Sequence, residues 1–305
     1  MKDYRLPPAR NRQIFLNGIA PDLLDPLPRP EHPQLLVCMA QQGAGKTMLA
    51  THFGRTLPGP YAELDSDLFK PYHPDYDEIM RLDDREMARA IGPDGQAWME
   101  QVLDYVREHK VDALRHSTAG SPEFEAENLR AFKDAGFGVH VRVLAAHEAQ
   151  SRQGIYNRYN EQVRDSGQGR LTDPVKAERS YRCVPEAVQL IQARGLADRI
   201  DVVRRSDLIN PVYEITRGPD GEWQQEQPDA RGAVERERAR ELPPVEATDF
   251  VQTQQALRTP EKRIEQEMGQ AWHAELDTID ALAQEVLPPH LMHEGPEHEG
   301  PELEM

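Results

Sequence analysis

Residues 34–47 read Gln-Leu-Leu-Val-Cys-Met-Ala-Gln-Gln-Gly-Ala-Gly-Lys-Thr. The run Gln34–Ala40 is short and apolar, as expected of a strand covered on both faces. Residues 40–47 match G-x-x-x-x-G-K-[ST], except that Ala40 replaces the first glycine. The spacing has a physical reason. Glycines let the backbone curl until successive N–H groups point at one phosphate, and a helix starting near Lys46 adds its positive dipole end. That helix is expected from Lys46 to about Leu57, where Pro58-Gly59-Pro60 stops it. Gly43, Ala44, Gly45, Lys46, Thr47 and Met48 are therefore the candidate nucleotide-binding residues. Lys46 is expected to reach the β- and γ-phosphates, and the Thr47 hydroxyl to ligate Mg²⁺. A chance turn before a helix is the alternative. No guanine-reading N-K-x-D stretch occurs, which favours ATP over GTP.

Working outward, the 305 residues are 38% hydrophobic and carry a formal net charge of −17. Such a length suffices for one sizeable α/β core with a smaller appendage. No stretch approaches about eighteen uninterrupted apolar residues, which argues against a membrane protein. The start, MKDYRLPPARNRQIF, lacks the basic-then-apolar layout of a secretory signal. Two cysteines, Cys38 and Cys183, cannot build a disulfide framework, so a cytoplasmic location is expected. The acidic balance argues against nucleic acid as a partner, because neutralising phosphates needs abundant Lys and Arg. A local basic pocket for a phosphorylated small molecule is still compatible with it.

Strand and helix signals then alternate. Strands are expected at Gln34–Ala40, Tyr61–Asp67, Val111–Thr118, Gly138–Ala146 and Ile200–Arg204. Helices are expected at Lys46–Leu57, Pro74–Ile91, Gln96–His109, Pro122–Ala135, 147–164 and 173–194. Crossover-length spacing implies an α/β fold of three layers, a mostly parallel sheet flanked by helices. The proline-rich residues 1–33 read as a lead-in with one short helix near Gln13–Leu24. The main domain is expected over 34–217, and a helical C-terminal extension over 218–287. The acidic tail 288–305 has a disordered composition. Val212–Thr216 and Glu222–Gln225 suggest a hairpin around Gly218-Pro219-Asp220-Gly221.

Glu63-Leu64-Asp65-Ser66-Asp67 closes the second strand. In an open parallel sheet, the carboxyl ends of strands form the ligand crevice. A kinase acting on a hydroxyl needs a carboxylate there to accept its proton, and Asp67 is the candidate base. Helix capping is the alternative for both aspartates, and the favoured one for Asp65. A lid is expected around 157–170, where a helix breaks into Ser166-Gly167-Gln168-Gly169. Its arginines would stabilise the phosphoryl group in flight; a solvated helix face is their ordinary alternative.

The phosphate loop, Asp-Ser-Asp-Leu-Phe-Lys (65–70) and Tyr-His-Pro-Asp-Tyr-Asp-Glu (72–78) together resemble the zeta-toxin family. The similarity runs from about Leu35 to Ser206. It implies a P-loop kinase-like fold and a kinase that uses ATP and Mg²⁺ to phosphorylate the 3′-hydroxyl of UDP-N-acetylglucosamine. It also implies a toxin held inactive by a small helical antitoxin. Carried over by position, Lys46, Asp67, Arg158 and Arg170 are the catalytic residues, with Arg164 a spare candidate. Glu100 and Thr118 join Asp67 in binding the substrate, and Glu100 has a solvated surface position as its alternative. The chain departs from the family at Arg115-His116-Ser117-Thr118-Ala119-Gly120. His116 stands where an acid is usual, and Gly120 where an arginine is. A kinase acting on another nucleotide-linked acceptor, or a nucleotide-binding interaction protein with degraded catalysis, are the competing readings. His290, His293 and His298 lie in a Pro/Glu-rich stretch and reflect composition rather than a zinc site.

Overall fold

The computed structural model describes residues 4–82 and 90–291. Its sheet has six strands: β1 (Gln34–Met39), β2 (Ala62–Leu64), β3 (Ala113–Ser117), β4 (Gly138–Ala145), β5 (Arg199–Arg204) and β6 (Tyr213–Thr216). Their order is β2-β3-β1-β4-β5-β6. The first five run parallel, and β6 pairs antiparallel with β5. Parallel neighbours require crossovers, and these are helical. Before β1 come α1 (Pro8–Ile14), a π-helical turn (Phe15–Ile19) and α2 (Ala20–Leu23). α3 (Lys46–Gly54) follows β1. α4 (Tyr76–Leu82) and α5 (Gly92–His109) link β2 to β3, and α6 (Pro122–Asp134) links β3 to β4. α7 (Glu148–Ser166) and α8 (Pro174–Ala193) link β4 to β5.

The two-residue period of β1 splits the core into layers. Leu35, Val37 and Met39 belong to one cluster with Trp98, Val102 and Leu129. Leu36 and Cys38 belong to the other, with Leu49, Ala50 and Phe53 of α3. The mostly parallel three-layer sheet is thus the observed architecture.

Several elements differ from expectation. The second strand ends at Leu64, and a 3₁₀ helix covers Ser66–Tyr72. The Asp65 carboxylate accepts the Asp67 N–H at 3.0 Å, and that cap turns the chain. Of the helix expected at Pro74–Ile91, Tyr76–Leu82 is helical, and 83–89 lie outside the described residues. The hairpin between 212–216 and 222–225 forms in short: a bridge from Arg217 to Trp223, with Gly218 N–H donating to the Glu222 carbonyl at 2.8 Å and Gln224 N–H to the Thr216 carbonyl at 3.0 Å. β6 also pairs with the open edge of β5, which lets Ile215 enter the main core. In the lead-in, Phe15, Ile19 and Leu24 also reach that core.

The C-terminal extension is helical: α9 (Ala230–Arg238), α10 (Pro244–Leu257) and α11 (Lys262–Ala283). α9 adds Ala230, Ala233 and Val234 to the main core. α10 and α11 build a second core on the outer side of α7, joining Phe250, Trp272, Leu276 and Ile279 to Ile155, Tyr156, Tyr159 and Val163. Of the expected tail, Pro289–Leu291 form a 3₁₀ turn, and 292–305 lie outside the described residues. Among the described residues, no helix is long and apolar enough to cross a membrane.

Candidate active site

The phosphate loop sits between β1 and α3 and takes two left-handed residues, Gly43 (φ 79°) and Gly45 (φ 105°). Both are glycines because a side chain is strained at such angles. Gly43 has a second reason. A Cβ there would lie 1.9 Å from the Ser151 carbonyl oxygen on α7, and one at Gly154 would lie 2.1 Å from the Gly43 oxygen. The loop tip therefore nests directly on the α7 backbone. Around it, the Gln42 N–H donates to Ser180 Oγ at 3.3 Å. Gln41 Nε2 donates to the Ala146 carbonyl at 2.6 Å, and Gln41 Oε1 accepts from Arg238 at 2.9 Å. Half-buried Lys46 is held below the ordinary lysine range by burial; the charges of Asp65 and Asp67 oppose that shift. Thr47 is exposed in the first turn of α3. Met48 is 58% exposed, and its N–H bonds the Gly45 carbonyl at 3.1 Å.

Asp67 stands across from this loop on the 3₁₀ helix. Arg170 Nη1 donates to both its carboxylate oxygens, and Lys70 Nζ donates to Oδ1. Burial pushes the Asp67 carboxyl up, but the charges and hydrogen bonds of Arg170 and Lys70 outweigh it and hold it down at about 2. Lys70 is buried, and burial followed by the Arg170 charge lowers its own ammonium. Arg158, on α7, donates to Thr172 Oγ1 at 2.8 Å, and burial and the Arg170 charge lower its guanidinium. Lys46, Lys70, Arg158, Arg170 and the Asp65–Asp67 pair thus make one electrostatic cluster at the carboxyl ends of the strands. Arg164 lies outside it, paired with its exposed neighbour Asp165 at 3.1 Å.

The site's third wall is the turn after β3. The side chain of His116 is buried, with Nε2 3.0 Å from Glu63 and Nδ1 3.5 Å from Asp65. The His116 hydrogen bond holds the Glu63 carboxyl below its ordinary value. Behind His116, Glu125 accepts from Arg115 at 2.6 Å and from Ser117 Oγ at 2.9 Å. Ser117 Oγ in turn accepts the Ala119 N–H at 3.0 Å. This network holds Ala119 at φ 48°, a left-handed angle that costs a non-glycine residue roughly 1–2 kcal/mol. Thr118 is half-buried beside it, and Glu100 is exposed on α5.

His73, from the motif that carried the resemblance, is buried and structural. Its Nδ1 accepts the Asp75 N–H at 3.1 Å, and its Nε2 lies 3.0 Å from the Tyr4 carbonyl. It ties the 3₁₀ helix bearing Asp67 to the N-terminal segment. Lys70, Glu125 and Gly154 were missed by sequence reasoning. Gly154 left one signal, a glycine inside a helical pattern.

The arrangement can bind a triphosphate on backbone N–H groups and Lys46, orient a hydroxyl at a carboxylate, and place two arginines by a transferred group. Mg²⁺ takes few protein oxygens and keeps several waters. The exposed Thr47 hydroxyl in the first turn of α3, and the half-buried Asp65 whose charge acts on Lys46, are the oxygens that fit that demand.

A family model described as Zeta toxin matches residues 22–216. The "Toxin zeta" of Streptococcus agalactiae is 22% identical over 187 residues, 61% of this chain and 61% of that protein. The chain thus spans less than two thirds of that relative's length. A solved structure from the PezAT chromosomal toxin-antitoxin system of Streptococcus pneumoniae superposes with a TM-score of 0.67 at 15% identity, covering 90% of this chain and 98% of that one. The AvrRxo1-ORF1:-ORF2 structure with ATP gives 0.50 at 11% identity, covering 90% and 87%. At such identities the two structures are alike in fold alone.

Proposed function

The chain belongs to the zeta toxin family, and we propose that it is an ATP-dependent small-molecule kinase that phosphorylates the 3′-hydroxyl of UDP-N-acetylglucosamine. The observation that carries this reading is Asp67, across the cleft from the Lys46 loop and gripped by the lid arginine Arg170.

In the reaction, loop N–H groups and Lys46 hold the β- and γ-phosphates. Thr47 would offer its hydroxyl to Mg²⁺, which when bound would neutralise charge on the phosphates. The acceptor oxygen forms a bond to the γ-phosphorus, the bond to the β–γ bridging oxygen breaks, and ADP leaves. The hydroxyl proton goes to Asp67. A carboxylate held near pKa 2 is a weak base. A loose phosphoryl-transfer transition state asks little proton transfer of it, so its main task is orientation. The γ-phosphate competes with Asp67 for Arg170. Once Arg170 moves to the phosphoryl group, Lys70 still anchors Asp67. Arg158 completes the charge on the transferred group.

Membership of a family named for toxins, and a structural neighbour from a toxin-antitoxin system, support a toxin role with a small antitoxin as partner. The experiment is direct: incubate pure protein with γ-labelled ATP, Mg²⁺ and UDP-N-acetylglucosamine. Labelled sugar nucleotide that vanishes in Asp67→Asn and Lys46→Ala supports the reading. Its absence from a folded, ATP-binding protein removes that acceptor.

A second reading keeps the chemistry and changes the acceptor to another nucleotide-linked sugar. It is favoured by buried His116 between Glu63 and Asp65, and by Gly120, at positions where the family carries an acid and an arginine. Screening a metabolite extract with labelled ATP separates the two, and label on the UDP sugar alone rules the second out.

A further inference from the structure

The lid between Arg158 and Arg170 is held from outside the kinase core. α7 ends at Gly167, whose left-handed backbone (φ 75°) closes the helix and turns its carbonyl outward. That carbonyl accepts Arg263 Nη1 at 2.6 Å, from the first turn of α11. A cation at the carboxyl end of a helix is also favoured by the helix dipole. Two residues earlier, the Glu261 N–H donates to Asn160 Oδ1 on α7 at 3.0 Å. Glu267, one turn on, accepts from Arg263 Nε at 3.0 Å and aims it. Further along the same contact, Trp272 packs edge-on against Tyr156, centroids 4.8 Å apart, and Arg152 donates to Glu275 at 2.8 Å. α11 therefore grips α7 on either side of Arg158 and also grips the loop three residues before Arg170.

We propose that Arg263 is a positioning residue for the lid arginines, so that the C-terminal extension takes part in phosphoryl transfer by setting where Arg158 and Arg170 stand. The proposal rests on the kinase reading. Its physical content is that the loop 167–173 is held from several elements at once: Asp67 takes the Arg170 side chain, and Ser166 Oγ donates to the Gln168 carbonyl at 2.8 Å. Arg170 N–H bonds Gln162 Oε1 at 2.9 Å, and Thr172 Oγ1 accepts from Arg158. The Gly167 carbonyl is the point where the C-terminal extension takes hold.

The test uses the full chain and needs no acceptor. Lid arginines meet the γ-phosphate, so they raise affinity for ATP but not for ADP. We expect Arg263→Ala to cut the ATP-over-ADP preference about five- to tenfold with ADP affinity unchanged, and to speed amide exchange over 166–172 by tenfold or more. Arg263→Lys, which can still donate to the Gly167 oxygen, keeps most of the preference. Arg263 is only about one third exposed and bonds a helix end, so the thermal midpoint is expected to fall by no more than about 2–4 °C, the size of a single lost contact. A wild type that prefers ATP, loses the preference in Arg170→Ala and keeps it in Arg263→Ala overturns this proposal alone. A wild type that binds ATP no better than ADP overturns the kinase reading and this proposal with it.

Discussion

Arg170 closes on Asp67 across 103 residues of chain, its Nη1 donating to both carboxylate oxygens at 2.6 Å. The pair links the loop after α7 to the 3₁₀ helix after β2, and it sets the charge state of the proposed base.

That relationship predicts a pH profile. kcat/KM reports groups of the free enzyme. With Asp67 held at about 2, wild-type kcat/KM shows no fall owed to this carboxyl between pH 8 and pH 5. Arg170→Ala removes the largest lowering influence, so the carboxyl rises toward the ordinary range of about 4 and an acid limb appears at higher pH. The same variant loses kcat by about 10³-fold, as loss of an arginine at a transferred phosphoryl group does. Superimposable pH profiles for the two proteins would refute the coupling.

Gly154→Ala tests the seat of the phosphate loop. The added methyl meets the Gly43 carbonyl, which is backbone and cannot rotate away. The expected result is a stability loss of about 1–3 kcal/mol in urea titration, with ATP affinity reduced at least tenfold by calorimetry. Unchanged nucleotide binding in a folded variant would mean the close approach does not matter.

Glu125→Ala tests the turn after β3. The change strands Arg115, which is 7% exposed, without its carboxylate. Breaking such a buried pair costs about 3–5 kcal/mol, readable as a drop in the denaturation midpoint. Glu125→Gln, whose amide oxygen can still accept from Arg115 while its NH₂ faces Ser117 Oγ, should recover part of that loss.

Asp201 gives the clearest acid sensitivity. It is fully buried between Arg142 at 2.7 Å, Arg199 at 2.7 Å and His140 at 2.8 Å. Burial raises its carboxyl, and hydrogen bonds from His140 and the two arginines bring it down to about 2. A depressed folded value means this stabilisation is present above about pH 4 and is lost as pH falls toward 2. Asp201→Asn should therefore be about 2–4 kcal/mol less stable at pH 7 and show a flatter loss between pH 4 and 2. Equal slopes in acid titrations of the two proteins would contradict it.

The nucleotide loop was legible because phosphate chemistry fixes residue types at fixed spacing. Gly43, Gly45, Lys46 and Thr47 follow one another along the chain, and the buried run Gln34–Met39 announces its strand. Asp67 and Arg170 could be named from spacing and resemblance, but their bidentate contact depends on how α7 crosses the sheet end. Gly154, Glu125 and Arg263 act through partners that are far away or outside any motif, so no local pattern marks them. The hairpin around 218–221 was legible from its turn signals and forms in short, with Gly218 N–H on the Glu222 carbonyl and Gln224 N–H on the Thr216 carbonyl. That its first arm would also extend the sheet at the open edge of β5, burying Ile215, left no local signal.

Cys38 lies fully buried at the end of β1, beneath the nucleotide loop, with its thiol pushed up to about 12 chiefly by burial. Cys183 is half-buried on α8 and carries no disulfide. Maleimides, which are selective for thiols, therefore meet α8 first and leave Cys38 intact. The half-buried Cys183 thiol is an attachment point for a fluorophore reporting on the helix whose Ser180 caps the Gln42 N–H.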